Sequence, residues 1–375
     1  MGLITLVLIP LTLVLLATNT QSFTPQSQSQ QQPYKNILIL DHLNMNHQKG
    51  RHDQLKAFYF DYLKCGIDPR KVENMEKGRQ TLWANIGAQQ FHLPEGKPDA
   101  QVFKGEIRLC FDRNDVHKLI QDYHESDIQN ILKDSLFDLT EVSSDEIRVT
   151  DPWGSQFTIV ASDKVKDERG VQDNYGDASR GRCMDDLTFY TPANANIAGI
   201  ARFYEQVLDT PILELCCDEK LGGGRCVMSM GPYQTLTFQS KESEENAGTG
   251  IDDTDDANMH VDLRDEPESN PPDQRYYASN YGPHVSIYIR DIRGTYKRAE
   301  ELGITYVNPR FKRRAYSEEE AVKDCMFRCL DIVDPEDVEA GAILRLEHEV
   351  RSVLKGDGGL YKSCPFDIAP DGCII

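Results

Sequence analysis

Four short stretches carry residues able to hold a metal ion or move a proton, and in each the polar and apolar positions alternate. "DHLNMNH", Asp41 to His47, places His42, Asn44 and Asn46 on one side of a strand and Leu43 and Met45 on the other. "AQQFHLP" sets Gln90 and His92 opposite Phe91 and Leu93, and "GEIRLCF" sets Glu106, Arg108 and Cys110 opposite Ile107, Leu109 and Phe111. "PHVSIYIRD" opens on His284. A buried strand of a parallel sheet would not carry such a polar face. Imidazole and carboxylate side chains displayed this way suit metal ligation or general acid–base chemistry. The plainer reading of the same pattern is a solvated cup without metal.

Other chemistries find little support. His47, His52, His117, His124, His260 and His348 lack ligand spacing, and no GxSxG elbow occurs. "LGGGRC", Leu221 to Cys226, lacks the Lys-Ser/Thr ending of a phosphate loop and reads as a turn. None of the ten cysteines forms a CxxC pair: Cys216 and Cys217 are adjacent, and Cys325 and Cys329 sit four apart. A formal charge of −20 argues against nucleic acid and anionic membrane surfaces. Within that acidic chain "PRFKRRAY" is a basic patch, able to grip an anionic substrate or to lie on an exposed hairpin.

The elements that must position these residues repeat. "DHLNMNHQKGRHDQLKAFYFDYL" is echoed by "DDLTFYTPANANIAGIARFYEQVL", an alternating strand running through a polar turn into an amphipathic helix. Phe58, Tyr59 and Leu63 in the first copy match Phe203, Tyr204 and Leu208 in the second. Each half divides again, the first with strands near 71–77 and 81–94, then "GEIRLCFD", a helix over "DVHKLIQDYHES" and three more strands. The unit is βαβββ, used four times.

That order, with "LWANIGAQQFHLP", "DPWG" and "GPHVSIYIRDIRGTYKRAEELG", resembles the vicinal oxygen chelate superfamily, the glyoxalase I, bleomycin-resistance and extradiol-dioxygenase group. The resemblance implies an α+β chain of two tandem domains, each of paired units forming an open, cupped, mixed sheet. The expected domains are 35–161 and 184–352, joined by a charged linker over 162–183. An acidic insertion over 240–275 interrupts the second, and a tail over 353–375 follows.

In that superfamily the metal ligands come from the first and last strand of each unit. Carried onto this chain, those positions fall in the first half on His42, His92 and Glu106, with Thr158 where a metal-binding Glu is usual. In the second half they fall on Asp186, Thr237, His284 and Arg345, with Glu347 on the same face as Arg345, so that half is expected to be degenerate. Two imidazoles and a carboxylate suit Zn, Ni, Mn or Fe as a divalent cation. The resemblance then implies a lyase or isomerase working through an enediolate, with Glu106 as catalytic base. Asn44, Gln90, Arg108 and Thr158 are the expected substrate-binding residues. A non-catalytic small-molecule binder and an Fe(II) dioxygenase-like enzyme are the rivals. Each half already holds two units, so either a monomer or a homodimer fits.

The N-terminus is a separate object. "LITLVLIPLTLVLLA" is followed by the small residues Thr20 and Ser22, which reads as a signal peptide over 1–22 that leaves no membrane span after cleavage. The Ser/Gln-rich segment 23–34 reads as disordered, and Phe23 at its head resembles a plastid transit sequence. The secretory route is expected, ending in a plastid or outside the cell. Secretion would permit disulfides such as Cys364 with Cys373.

Overall fold

The computed structural model describes residues 35–78, 81–95, 100–125, 127–163, 179–218, 223–241, 283–308, 311 and 313–375. The expected signal and transit segments, most of the linker and nearly all of the acidic insertion lie outside the described residues. No described helix is long and apolar enough to cross a membrane.

Four βαβββ units follow one another. In the first, β1 (Ile37–Asn44) leads through α1 (His52–Leu55) to β2 (Gly66–Ile67), α2 (Val72–Lys77), β3 (Leu82–Ile86) and β4 (Gln89–Leu93). The second runs β5 (Gly105–Phe111), α3 (Arg113–Glu125), α4 (Ile128–Leu132), β6 (Asp138–Ser143), β7 (Glu146–Thr150) and β8 (Gln156–Ala161). The third is β9 (Cys183–Pro192), α5 (Ile197–Arg202), β10 (Ile212–Asp218), β11 (Gly223–Ser229) and β12 (Thr235–Lys241). The fourth is β13 (His284–Ile289), α6 (Ile292–Glu301), β14 (Thr305–Tyr306), α7 (Glu318–Asp324), β15 (Met326–Val333) and β16 (Ala342–Ser352).

The repeat extends to fine detail. Both α1 and α5 widen into a π-type turn over their Phe-Tyr pairs, Lys56–Tyr62 and Phe203–Val207. One expected strand is a helix: 72–77, "VENMEK", is built of good helix formers and closes on Gly78, whose φ of 63° suits a left-handed C-cap.

The fold class is as the motifs imply, α+β with two open, mixed eight-stranded sheets. Their composition differs from the order of the halves. One sheet runs β14-β15-β16-β13-β1-β4-β3-β2 and joins the first unit to the fourth; the other runs β10-β11-β12-β9-β5-β8-β7-β6 and joins the second to the third. Both joints are antiparallel, β1 on β13 and β5 on β9. Strand patterning encodes which face is buried, whereas all four first strands offer a similar free edge, so local sequence does not choose the partner.

The sheets share one hydrophobic core. Phe91 of β4 lies 5.2 Å from the Tyr59 ring and 6.0 Å from Phe157 of β8, and all three are fully buried. Burial of each such ring contributes roughly 1.5–3 kcal/mol.

Each joint strand carries a β-bulge at an aspartate. Leu40 pairs with Ile287 and His42 with Ser286, which leaves Asp41 as the extra residue of β1. Asp185 is the extra residue of β9, between Met184 opposite Leu109 and Asp186 opposite Arg108. The backbone freed at each bulge is recovered by a glutamine from the other sheet. Gln234 accepts from the Leu40 amide at 3.1 Å and donates to its carbonyl at 3.2 Å. Gln89 does the same for Met184, at 3.0 and 3.1 Å. All ten cysteines are free thiols, Cys364 and Cys373 included.

Candidate metal centre

Pairing the first unit with the fourth decides what the sheet displays. Across β1 and β13, Asn44 lies opposite His284 and His42 opposite Ser286. Across β13 and β16, Ser286 lies opposite Glu349, and across β1 and β4, Asn44 lies opposite His92. The same register in the other sheet sets Thr188 against Glu106, and Arg108 against both Asp186 and Thr158. One cup therefore displays His42, His92, His284 and Glu349, and the other displays Asp186, Thr237, Glu106 and Thr158. The metal-capable side chains, split between halves by the sequence order, converge in one place.

His42, His284 and Glu349 place one ligand atom each within 4.8 Å of one another, and all three are buried. The β1 bulge turns Asp41 onto the same side as His42, where its Oδ2 meets His42 Nδ1 at 2.8 Å. That contact fixes the tautomer and leaves His42 Nε2, which is buried and has no hydrogen-bond partner. Burial, with a further push from Arg351, lowers the pKa of His42; burial and Arg328 hold His284 well below the usual range. Both imidazoles are thus neutral and keep a lone pair for a cation.

Burial alone would raise the Glu349 carboxyl, but Arg328 and Arg351 hold it well below the usual range. Arg351 Nε donates to Oε1 and Arg328 Nη2 to Oε2. A carboxylate accepts about four hydrogen bonds, so Oε2, 4.0 Å from His284 Nε2, retains acceptor capacity. Arg328 also donates to Glu347, whose other oxygen accepts from Asn308 at 3.0 Å. Among the described residues this floor sets three carboxyl groups, Asp41, Glu347 and Glu349, against two guanidinium groups, Arg328 and Arg351. Two neutral nitrogens, an ionised carboxylate and this excess of carboxyl groups fit a divalent cation.

His92 stands beside the His42, His284 and Glu349 group rather than within it. Its ring stacks on His42, with centroids 3.6 Å apart, and on Trp83 at 4.5 Å. Its Nε2 bonds Gln90 Oε1 at 3.0 Å, and Gln90 Nε2 donates to the buried Asp68 at 2.7 Å. Gln90 thus bonds His92 and, like Asn44, lines the open cavity of about 470 Å³ above the floor.

The other expected residues lie elsewhere. Glu106, Arg108 and Thr158 stand on β5 and β8 of the second sheet and do not line this cavity. Arg108 pairs with Asp185 at 2.9 Å. Asp186 accepts from three hydroxyls, those of Thr188 at 2.6 Å, Thr237 at 3.0 Å and Thr235. No metal-capable cluster forms there among the described residues. Arg345 pairs with Asp331 at 3.2 Å, so the carboxylate sits four residues further along β16. Arg345, Glu347, Glu349 and Arg351 alternate on one face of that strand, a face legible in "RLEHEVR" without its register. Trp83, Arg328, Arg351 and the tail residue Tyr361 also line the cavity and carried no sequence signal.

Four βαβββ units in two open sheets are the architecture that the sequence motifs imply. No protein-family model matches the chain, and no curated protein does. Among solved structures the chain is similar to glyoxalase I from Zea mays, at 10% identity over 85% of this chain and 93% of that one, with a TM-score of 0.44. It is also similar to the 2,3-dioxygenase LapB from Pseudomonas sp. KL28, at 12% identity over 87% of this chain and 94% of that one, with a TM-score of 0.28.

Proposed function

We propose that the chain is a divalent-metal-dependent enzyme whose metal is held by His42, His284 and Glu349 and whose substrate presents two adjacent oxygens. The carrying observation is the convergence of two neutral imidazoles and an ionised carboxylate, with His42 Nε2 buried and unpartnered. When bound, such a cation supplies Lewis acidity and open positions for substrate, and the two-histidine, one-carboxylate set suits Fe(II) oxygen chemistry. The chain's own groups prepare the floor. Asp41 orients His42, Arg328 and Arg351 keep Glu349 ionised, and Asn44 offers an amide to the substrate.

The oxygenase type leads because, among the described residues, Glu349 alone brings a carboxylate to the cavity lining, and Glu106, the expected base, stands in the other sheet. Lyase or isomerase chemistry is the second reading. It is favoured by His92, an imidazole stacked beside His42 and able to move a proton. The test is anaerobic loading with Fe(II), followed by oxygen uptake with catechols and by turnover of oxo-aldehyde adducts without oxygen. Uptake abolished by His284→Ala supports the first reading, and oxygen-independent turnover lost in His92→Gln the second. Neither activity in a metal-loaded protein would leave a binding protein. We further propose delivery by the secretory route to a plastid or the cell exterior, supported by the apolar leader and Phe23; an uncleaved N-terminus on the protein from its source would refute it.

A further inference from the structure

The chain carries a formal charge of −20, yet among the described residues the cavity above the metal centre is lined by Arg70, Lys71, Arg313, Arg328 and Arg351 against one carboxylate, Glu349. Behind these walls three of the cations are neutralised. Arg70 is bidentate on the buried Asp68 at 2.8 and 2.7 Å, Arg328 holds Glu347 and Glu349, and Arg351 holds Glu349 beside Asp41. Lys71 and Arg313 form no ion pair among the described residues. They come from different units, Lys71 from the loop before α2 and Arg313 from the basic patch before α7, and they meet at the same cavity.

Each sits on an aromatic ring. Lys71 Nζ lies 4.2 Å from the centre of the Trp83 ring, and the Arg313 guanidinium lies 5.2 Å from the centre of Tyr361. Arg313 spends one of its five N–H donors on the Tyr361 hydroxyl, which leaves four. Partial burial and the neighbouring Arg70 lower the pKa of Lys71 against the opposing pull of Asp68. Past Arg313 and Tyr361 the surface stays basic: a second cavity, of about 270 Å³, is lined by both residues with Lys323, Lys355 and Lys362 against Asp324. The flat wall between rim and floor is a column of stacked rings, Trp83 on His92 on His42, with interplanar angles of 14° and 21°.

We infer that the substrate is a planar organic anion whose carboxylate or phosphate is held at the mouth of the cup by Lys71 and Arg313. This rests on the metal-centre reading for what happens at the floor, but the rim binds by charge whether or not that reading holds. A positive cleft in a negative protein focuses the field on its own mouth and draws anions there, with an affinity and on-rate that fall as salt screens the field. Neutral analogues of the same shape gain only the stacking wall.

The test is calorimetric titration of the full chain with benzoate, benzamide and inorganic phosphate at low and at near-physiological salt. The wild type and the Lys71→Met, Arg313→Met and Lys71→Arg variants are compared, with metal content measured in parallel. The expected result is benzoate or phosphate binding that weakens about tenfold in each Met variant, is retained in Lys71→Arg and weakens with salt, while metal content stays unchanged. Benzoate binding alone assigns a carboxylate to the rim, and phosphate binding alone a phosphoryl group. Equal binding of benzamide and benzoate, or Met variants that bind anions like the wild type, would overturn the inference. Loss of metal with anion binding intact would sink the metal-centre reading and leave this one standing.

Discussion

Arg328→Met removes a guanidinium that is 4 % exposed and bonded to two carboxylates, Glu347 and Glu349, themselves 3 % and 4 % exposed. Breaking a buried ion pair from one side costs roughly 3–5 kcal/mol, because the other charge stays behind. Here Arg351 still holds Glu349 and Asn308 still holds Glu347, which places the expected loss near the lower end, about 3 kcal/mol. A divalent cation beside Glu349 would supply the missing positive charge, and the departure of Arg328 also frees an acceptor site on Oε2. Ligand at a hundredfold its dissociation constant stabilises a native state by about 2.7 kcal/mol, and tighter binding in the variant adds to that. Urea unfolding followed by circular dichroism, in chelator and in excess Mn(II), gives both numbers. The gap between wild type and variant should be about 3 kcal/mol in chelator and clearly smaller with metal. Equal stabilities in chelator, or a gap that widens with metal, would refute the charge reasoning. The double change Arg328→Met with Glu347→Met should recover much of the loss, since it leaves no orphan at that end of the network.

Three further outcomes follow from the same contacts. Asp41→Asn should weaken metal affinity roughly 10- to 100-fold with little effect on folding, as measured by competition with a chromogenic chelator, because the carboxylate orients His42. Gln234→Ala should cost about 1–3 kcal/mol in urea unfolding, since it strips the Leu40 amide and carbonyl of their glutamine partner; Gln89→Ala should cost less, because the Met184 carbonyl still accepts from Gln234 at 3.3 Å. Burial raises Asp151 from 3.8 to about 6, so the folded state holds its proton more tightly than the unfolded chain does. That stabilisation is complete below about pH 4 and is lost as pH rises through about 6, an amplitude near 3 kcal/mol. Asp151→Asn, which keeps an acceptor for the amides of Trp153, Gly154 and Ser155, should flatten the stability–pH curve across that window.

The βαβββ unit, its fourfold use and the faces of its strands were legible because alternation and helical spacing are local properties. His42, His92 and His284 were legible for the same reason, as polar residues on strands otherwise apolar. Edge pairing is not local. The halves of the chain suggest that Glu106 completes a site with His42, but β1 hydrogen-bonds to β13 and β5 to β9, which moves Glu106 into a cup with Asp186 and its threonines. Register was lost on β16, where Arg345, Glu347 and Glu349 share a face and nothing in the alternation marks which one meets His284. Asp41 was hidden by a bulge, which puts two consecutive residues on one side against the period of the strand.

The most direct test is the metal content of the purified protein beside His42→Ala, His284→Ala, Glu349→Gln and, from the other cup, Glu106→Gln. The account predicts about one divalent ion per chain, lost in the first three variants and kept in Glu106→Gln, with all four folded by circular dichroism. Metal that survives Glu349→Gln and disappears in Glu106→Gln would contradict it and return the site to the second sheet.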